Sequence, residues 1–464
     1  MELNIWGKIF AATIACGCAL VGLGACSSGS VPPAPPPPAT SASASEATSL
    51  DGTSYDGHNG VLHTDNAFLT KLSPTTEPGT SSAPPVTHAE LTIPSAGTSI
   101  TITPSVPAPE EVVSADFAFI SDTPQPAVAA LVLTHRDAEG LQPEEAGFLL
   151  QTFNEDGTVK TSTPTELTPE DAGPGDQEYS LLGATAIAAV VIVGDIDYLG
   201  EGFSGYSLTT GKKLWTSKLY LAGASGSIAV GWTDVEPNGG RCDTVTGLNI
   251  NTGQAVWAKA DRDIMQRGQG SWHTSSGFKD GCPTFLDTRV INSDPGLLYL
   301  TNGGTLGGHG NNRILREDSG NPVGDVATNI YSDPVAHLVT AAGISGPGSP
   351  YASHPYGMTV TDAITGKNIY TVSDEQGAKL QLEVHGVADG KIWATTTDQN
   401  IIIDARTGTT VDTGWDTYPV VSGAGWYLEG ENRGSQADQQ FGELTLVMTA
   451  ENPIGPADTS TPAG

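Results

Sequence analysis

The chain has 464 residues, 52 Asp and Glu against 20 Lys and Arg, and a formal charge of −32. A surface this negative repels nucleic acid and anionic lipid head groups, so both are discounted as partners, whereas cations and basic proteins are attracted. The length suits one large all-β domain or two to three smaller ones.

Residues 1–25 read as a secretion signal: Lys8 supplies a positive flank, and Ile9 to Ala25 is apolar but short for a membrane-spanning helix. The stretch ends in Leu23-Gly24-Ala25-Cys26, which resembles the bacterial lipobox. That resemblance implies cleavage before Cys26 and a diacylglycerol on its thiol. Several buried acyl chains, at ~0.8 kcal/mol per methylene, hold a soluble domain on a bilayer. Residues 26–110 begin as a tether: the Pro, Ser and Ala runs after Cys26 favour extended or flexible chain and cannot bury a core. Residues 54–110 are mixed, and THAELTIPSAGTSITITPS within them alternates like two short strands.

Cys16 and Cys18 leave with the signal, and Cys26 carries lipid, so Cys242 and Cys282 remain as an even pair in an oxidising compartment. A bridge between them would close a loop worth about 4 kcal/mol in the chain-entropy model. With His273 between them, their spacing matches no common zinc framework.

From 111 to 452 apolar, β-rich runs recur, beginning at Ala127, Ala186, Ser227, Gly296, Ala336, Gly390 and Gly423. Between them stand turns at Asp156-Gly157, Thr210-Gly211, Thr252-Gly253, Ser319-Gly320, Thr365-Gly366 and Thr407-Gly408. Gly211 to Gly253 and Gly366 to Gly408 are each 42 residues and Gly320 to Gly366 is 46; two intervals, of 54 and 67, imply insertions. A period of about 40–50 residues with several short strands per unit predicts a β-propeller, with seven blades and eight as the alternative. Residues 54–110 would open the first blade or close the last, and 453–464 form a disordered tail. Gly at each turn supplies positive φ, and the aromatic four residues later (Trp215 after Gly211, Trp257 after Gly253, Tyr370 after Gly366) is expected to pack on the neighbouring blade. Gly408 departs from this, with Asp412 at that position and Trp415 beyond it.

Turns of the form Asp-x-x-Thr-Gly-x-x-x-Trp resemble the repeats of quinoprotein-like, or PQQ-like, β-propellers. Asp362 to Gly366 and Asp404 to Gly408 match the turn half; Trp215 and Trp257 match the Trp half, with Ser207 and Asn249 at the Asp position. The resemblance covers about 115–450 and implies a fold that hosts dehydrogenases, assembly scaffolds and binding domains alike. Its dehydrogenases use a vicinal disulfide, a Ca²⁺ site and a catalytic Asp. No two Cys are adjacent here and no CxxCH motif exists, so quinone-dependent catalysis is disfavoured, no catalytic residue is assigned, and no cofactor is expected.

Calcium is the residual metal candidate, at Asp195 and Asp197 or at Asp234, Glu236, Asn238 and Asp243, although neither group has EF-hand spacing. The segment from Ala260 to Gly281 concentrates Arg262, Arg267, Trp272 and His273 in an otherwise acidic chain, and Arg and Trp are favoured at binding hot spots. Two further Gly-rich segments add His309 and Asn311, and His354. The expected function is that of a membrane-anchored extracytoplasmic lipoprotein whose propeller binds or scaffolds an envelope or secreted protein, or a small ligand. Envelope-protein assembly, similar to that of outer-membrane assembly propeller lipoproteins, is the alternative.

Overall fold

Local structure starts at the Thr-Gly turns. Gly211, Gly253, Gly366 and Gly408 have φ between 64° and 71°, where a side chain is disfavoured. The residue four before each glycine holds the turn: the Asp362 carboxylate accepts from the Thr365 N–H at 2.7 Å and its hydroxyl at 2.9 Å, and Asp404 accepts from Thr407 at 2.8 and 2.9 Å. Asn249 does the same with the Thr252 N–H at 3.2 Å. The Asp of the repeat therefore caps the turn, satisfying backbone donors that the tight bend leaves open.

The computed structural model describes residues 50, 52–56, 61–72, 85–138, 145–167, 178–194, 202–234, 242–260, 264, 296–300, 312–327, 329–333, 335–344, 356–430 and 443–449. They form eight antiparallel sheets. Seven lie in chain order as blades 1 to 7, spanning 61–102, 111–164, 178–217, 220–260, 297–327, 329–372 and 383–413. Blade 8 is built from Tyr418–Gly423, Trp426–Gly430 and Glu443–Met448, and Ser54–Asp56 adds its outermost strand by pairing Ser54 with Thr445 and Asp56 with Glu443. First strands of neighbouring blades pack on one another, so they line the axis and the fourth strands form the rim. The fold is an eight-bladed β-propeller.

Eight blades replace the seven counted from the sequence. The seven apolar runs are the second strands of blades 2 to 8. The eighth is Phe68–Leu72, in a blade whose turn glycine, Gly97, follows a short helix at Pro94–Ala96 and not a Thr. Residues 54–102 thus both open the first blade and close the last, so the ring begins well before 111. Blade 5 shows three strands, with Gly320 in the turn between the last two; these are its second to fourth strands. Residues 265–295, ahead of them in the chain, lie outside the described residues. A seven-residue helix, Asp374–Leu380, links blades 6 and 7 and begins with a capping box between Ser373 and Gln376. No helix among the described residues is long and apolar enough to cross a membrane.

Adjacent blades are joined by a recurring clasp. In blades 3 to 6 the backbone carbonyl three residues before the turn glycine accepts a hydrogen bond from the blade before it. Thr163 Oγ1 donates to Leu208 O at 3.2 Å, Trp215 Nε1 to Ile250 O at 2.8 Å, and Trp257 Nε1 to Glu317 O at 2.8 Å. The indole then lies over the turn glycine itself: a Cβ on Gly253 would sit 2.6 Å from the Trp215 ring, and one on Gly320 2.6 Å from Trp257. Beneath each ring is a strand glycine of its own blade, Gly205 under Trp215 and Gly247 under Trp257, in register as cross-strand partners. Tyr370 covers Gly408 in the same way. Blade 5 has Gly324 where the aromatic would stand; Arg316 takes its place and donates to Ala363 O at 3.0 Å, leaving Gly366 uncovered. Trp415 turns back onto its own blade, donating to Ile401 O at 3.0 Å and meeting His385 and Tyr418 edge-on.

Apolar side chains fill the space between blades; Ile228, Val230, Trp232, Trp257, Leu298 and Leu315 form one such cluster between blades 4 and 5. Fully burying a residue of this size is worth about 1.5–3 kcal/mol. At the closing seam Trp426 packs on Phe68 with ring centroids 5.1 Å apart, and its Nε1 donates to Asp65 O at 3.1 Å, across 361 residues of chain.

The two kinds of turn glycine give a direct test. Gly320→Ala and Gly366→Ala place the same methyl at similar φ, but only the first meets an indole. Urea denaturation is expected to show a loss of about 1–2 kcal/mol for Gly366→Ala, from backbone strain alone. Gly320→Ala should cost about 1–3 kcal/mol more, from overpacking. Equal losses would remove the clasp as a source of stability.

Candidate binding face

In blades 1 to 4, 6 and 7 the connection between first and second strands and that between third and fourth open to one face, and the remaining connections open to the other. The third-to-fourth turn of blade 5 and the first-to-second turn of blade 8 lie on the first face. The first face is a mat of short turns. Polar contacts tie it together: the Asp122 carboxylate accepts from Ala186 N–H, Thr185 bonds Asn251, and Glu317 Oε1 accepts from the Ser227 N–H at 2.8 Å and hydroxyl at 2.7 Å. Ser121 reaches past blade 3 to Gly226 O of blade 4. Asp333 accepts from Ala336 N–H at 2.9 Å and Gly390 N–H at 2.6 Å, Arg406 donates to Ala336 O at 2.8 Å, and Ala424 N–H donates to Asp65 O at 2.6 Å.

The strand ends flanking 301–311 and 345–355 open to the opposite face, so the connections holding His309, Asn311 and His354 depart from one side of the ring. Those residues, together with Arg262, Arg267, Trp272, His273 and Cys26, lie outside the described residues. Cys242 opens a strand of blade 4 in register with Asp234; its side chain and Cys282 lie outside what is described, as do Asp195, Asp197, Glu236 and Asn238. Among the described residues no three His, Cys, Asp or Glu gather as a metal site.

What the structure does assemble is on the turn face. A cavity of ≈ 550 Å³ opens over blades 4 to 6, lined by Val256, Leu297, Arg316, Asp318, His337 and Ile364, with Asp65 reaching in from blade 1. Val256 is 46% exposed and Ile364 60%. Of the large apolar side chains exposed among the described residues, Ile187, Leu214, Val256, Ile364 and Val411 all sit at turns of this face. Leu214, Val256 and Val411 each stand three residues after a turn glycine. Sequence reasoning missed them because it looked to the long connections. The usable signal was the apolar residue that precedes the packing aromatic, and an Ile inside a turn that is otherwise polar.

Local electrostatics shift Asp333, Asp362, Asp404 and His63 from their ordinary values. Burial pushes the Asp333 carboxyl up, against the pull of its bonds from Ala336 and Gly390. Burial also works to raise Asp362 and Asp404, but donors from Thr365 and Thr407 and the nearby Arg406 charge outweigh it and hold both below the usual carboxylate range. His63, at the blade 1–blade 8 seam, is pushed down to about 4 by burial, only partly offset by a hydrogen bond with the Ser422 backbone.

No protein-family model matches the chain, and no curated protein sequence does. Solved structures match in fold. BamB from Moraxella catarrhalis has 10% identity over 85% of this chain and 98% of its own, with a TM-score of 0.39. Sqt1 from Saccharomyces cerevisiae has 11% identity over 86% and 99%, with a TM-score of 0.32. The quinohemoprotein alcohol dehydrogenase ADHIIG from Pseudomonas putida HK5 has 10% over 78% and 80%, with a TM-score of 0.25. The likeness is one of fold, and these proteins are not of one function.

The His63 shift has a defined sign. Its folded pKa is depressed, so as pH falls below 6.5 the unfolded chain takes up a proton that the folded chain refuses. Stability is lost between pH 6.5 and about 4, by roughly 3 kcal/mol at pH 4. Asp362 and Asp404 add their loss only at lower pH, in the carboxylate range, where Asp333 works in the opposite direction. Chemical denaturation at pH 7, 5.5 and 4 should show this limb, and His63→Gln should flatten it. An unchanged slope in the variant would place the acid sensitivity elsewhere.

Proposed function

We propose that this chain is an extracytoplasmic lipoprotein whose propeller binds an envelope or secreted protein as a scaffold and carries out no chemistry itself. The observation that carries this reading is the order of the parts. A lipobox-like Leu23 to Cys26 and a Pro/Ser/Ala-rich tether precede Ser54–Asp56, which enters the ring as the outermost strand of blade 8. A tether joined at the rim covers neither face at its point of entry. A protein held this way presents a broad surface within tether reach of the bilayer, which suits partner capture. The reading assigns no catalytic residue and no cofactor. Assistance in assembling other envelope proteins is the finer form of the same reading, with a partner that is itself being folded or inserted.

Cys26→Ala is expected to move the protein from the membrane fraction to the soluble extracytoplasmic fraction and to remove the lipid mass from its N-terminal peptide by mass spectrometry. A variant that stays membrane-bound would contradict the lipid anchor. Recovery of the wild type only as a free monomer after crosslinking of intact envelopes would contradict the scaffold.

A further inference from the structure

The turn face carries an apolar and acidic groove in which two aliphatic side chains stand exposed. Most residues of this face are spent on blade-to-blade contacts: Glu317 on Ser227, Asp333 on Gly390, Arg316 on Ala363 and Ile364. Val256 and Ile364 are different. Both line the ≈ 550 Å³ cavity, and both present about half or more of their surface to solvent. An aliphatic side chain left in water beside a concave site marks an interaction surface better than one scattered on a convex surface. The volume admits a few side chains and not a folded domain. Its charge is one-sided. Four carboxyl side chains line it, Asp65, Glu317, Asp318 and Asp333, against one arginine, Arg316, so the formal balance is negative. The whole chain, at −32, adds to the same potential.

We propose that this groove over blades 4 to 6 binds an extended segment of a partner protein in which an aliphatic side chain is flanked by Lys or Arg. The aliphatic group packs between Val256 and Ile364. The flanking cation meets Asp318, which is exposed at the lip. Charge complementarity decides against a second copy of this chain, which is equally acidic, and against acidic peptides. The proposal rests on the reading of the chain as a partner-binding propeller, and it specifies the surface and the chemistry of what is bound.

The probe is a synthetic pentapeptide, acetyl-Lys-Ile-Lys-Val-Lys-amide, titrated into the full-length mature protein at low salt, alongside its Glu-Ile-Glu-Val-Glu and Lys-Gly-Lys-Gly-Lys analogues. The basic–aliphatic peptide should bind, and each analogue should bind at least tenfold more weakly. Ile364→Ser and Val256→Ser should each weaken binding by about tenfold, and Asp318→Asn by about threefold. Both apolar positions are exposed, so thermal melts should match the wild type. No binding, equal binding of the Glu analogue, or affinity unchanged in Ile364→Ser would overturn the proposal. In intact cells a photo-crosslinking residue is placed at Ile364 or at Asp398, an exposed position on the opposite face. Partner crosslinks from position 364 support the groove. Crosslinks from 398 alone overturn it but leave the partner-binding reading standing, and crosslinks from neither overturn both.

Discussion

A backbone carbonyl held three residues before a turn glycine is the contact on which this ring depends. Blades 3 to 6 each offer that carbonyl, and the blade before supplies a donor: a Thr hydroxyl at Leu208, an indole N–H at Ile250 and Glu317, a guanidinium at Ala363. The donor changes while the acceptor stays, because the acceptor is fixed by the turn. In blades 3, 4 and 6 the turn is fixed by a glycine at positive φ and a Ser, Asn or Asp four residues earlier, whereas blade 5 has Arg316 at that position. Where the donor is Trp, one side chain does two things: it satisfies a buried carbonyl, and it covers the only residue type that leaves room for it.

That constraint shapes what the protein can do. The turn face cannot move piecemeal, since its turns are bonded to one another around the ring. A rigid, mostly self-satisfied surface is suited to recognition by preorganised contacts and poorly suited to closing over a substrate. The exceptions on that face, aliphatic side chains such as Val256 and Ile364 standing in solvent, are therefore the places where a partner gains most. Ser54–Asp56 enters the ring as the outermost strand of blade 8.

Much of this architecture was legible in the sequence, because its causes are local. Thr-Gly turns, the 42-residue intervals and the aromatic at plus four all arise within one strand–turn–strand unit. Seven blades were the first expectation and eight, the alternative, is the count, because blade 1 has no Thr-Gly turn and blade 8 is shared between the two ends of the chain. The seam was illegible for the same reason: Trp426 and Asp65 meet across 361 residues, and nothing local marks them as partners. The substitution of Arg316 for a Trp in blade 5 could not be read either, since it lies before its turn glycine and the Trp lies after. Sites were the least legible. The long connections drew the eye with Arg, Trp and His, whereas the described surface places its exposed aliphatics beside the repeat itself, where Leu214 and Val256 pass for core residues of a strand.

The central claim, that blade order is held by aromatic-on-glycine clasps, is tested most directly by a double-mutant cycle between Trp257→Ala and Gly320→Ala, measured by urea denaturation. With the indole removed, the new methyl at position 320 has nothing to overlap and should cost only its backbone strain. The account predicts coupling of about 1–2 kcal/mol, with the glycine substitution cheaper in the Trp257→Ala background. Additivity within about 0.5 kcal/mol would mean that the ring and the glycine do not share the contact, and would contradict the clasp.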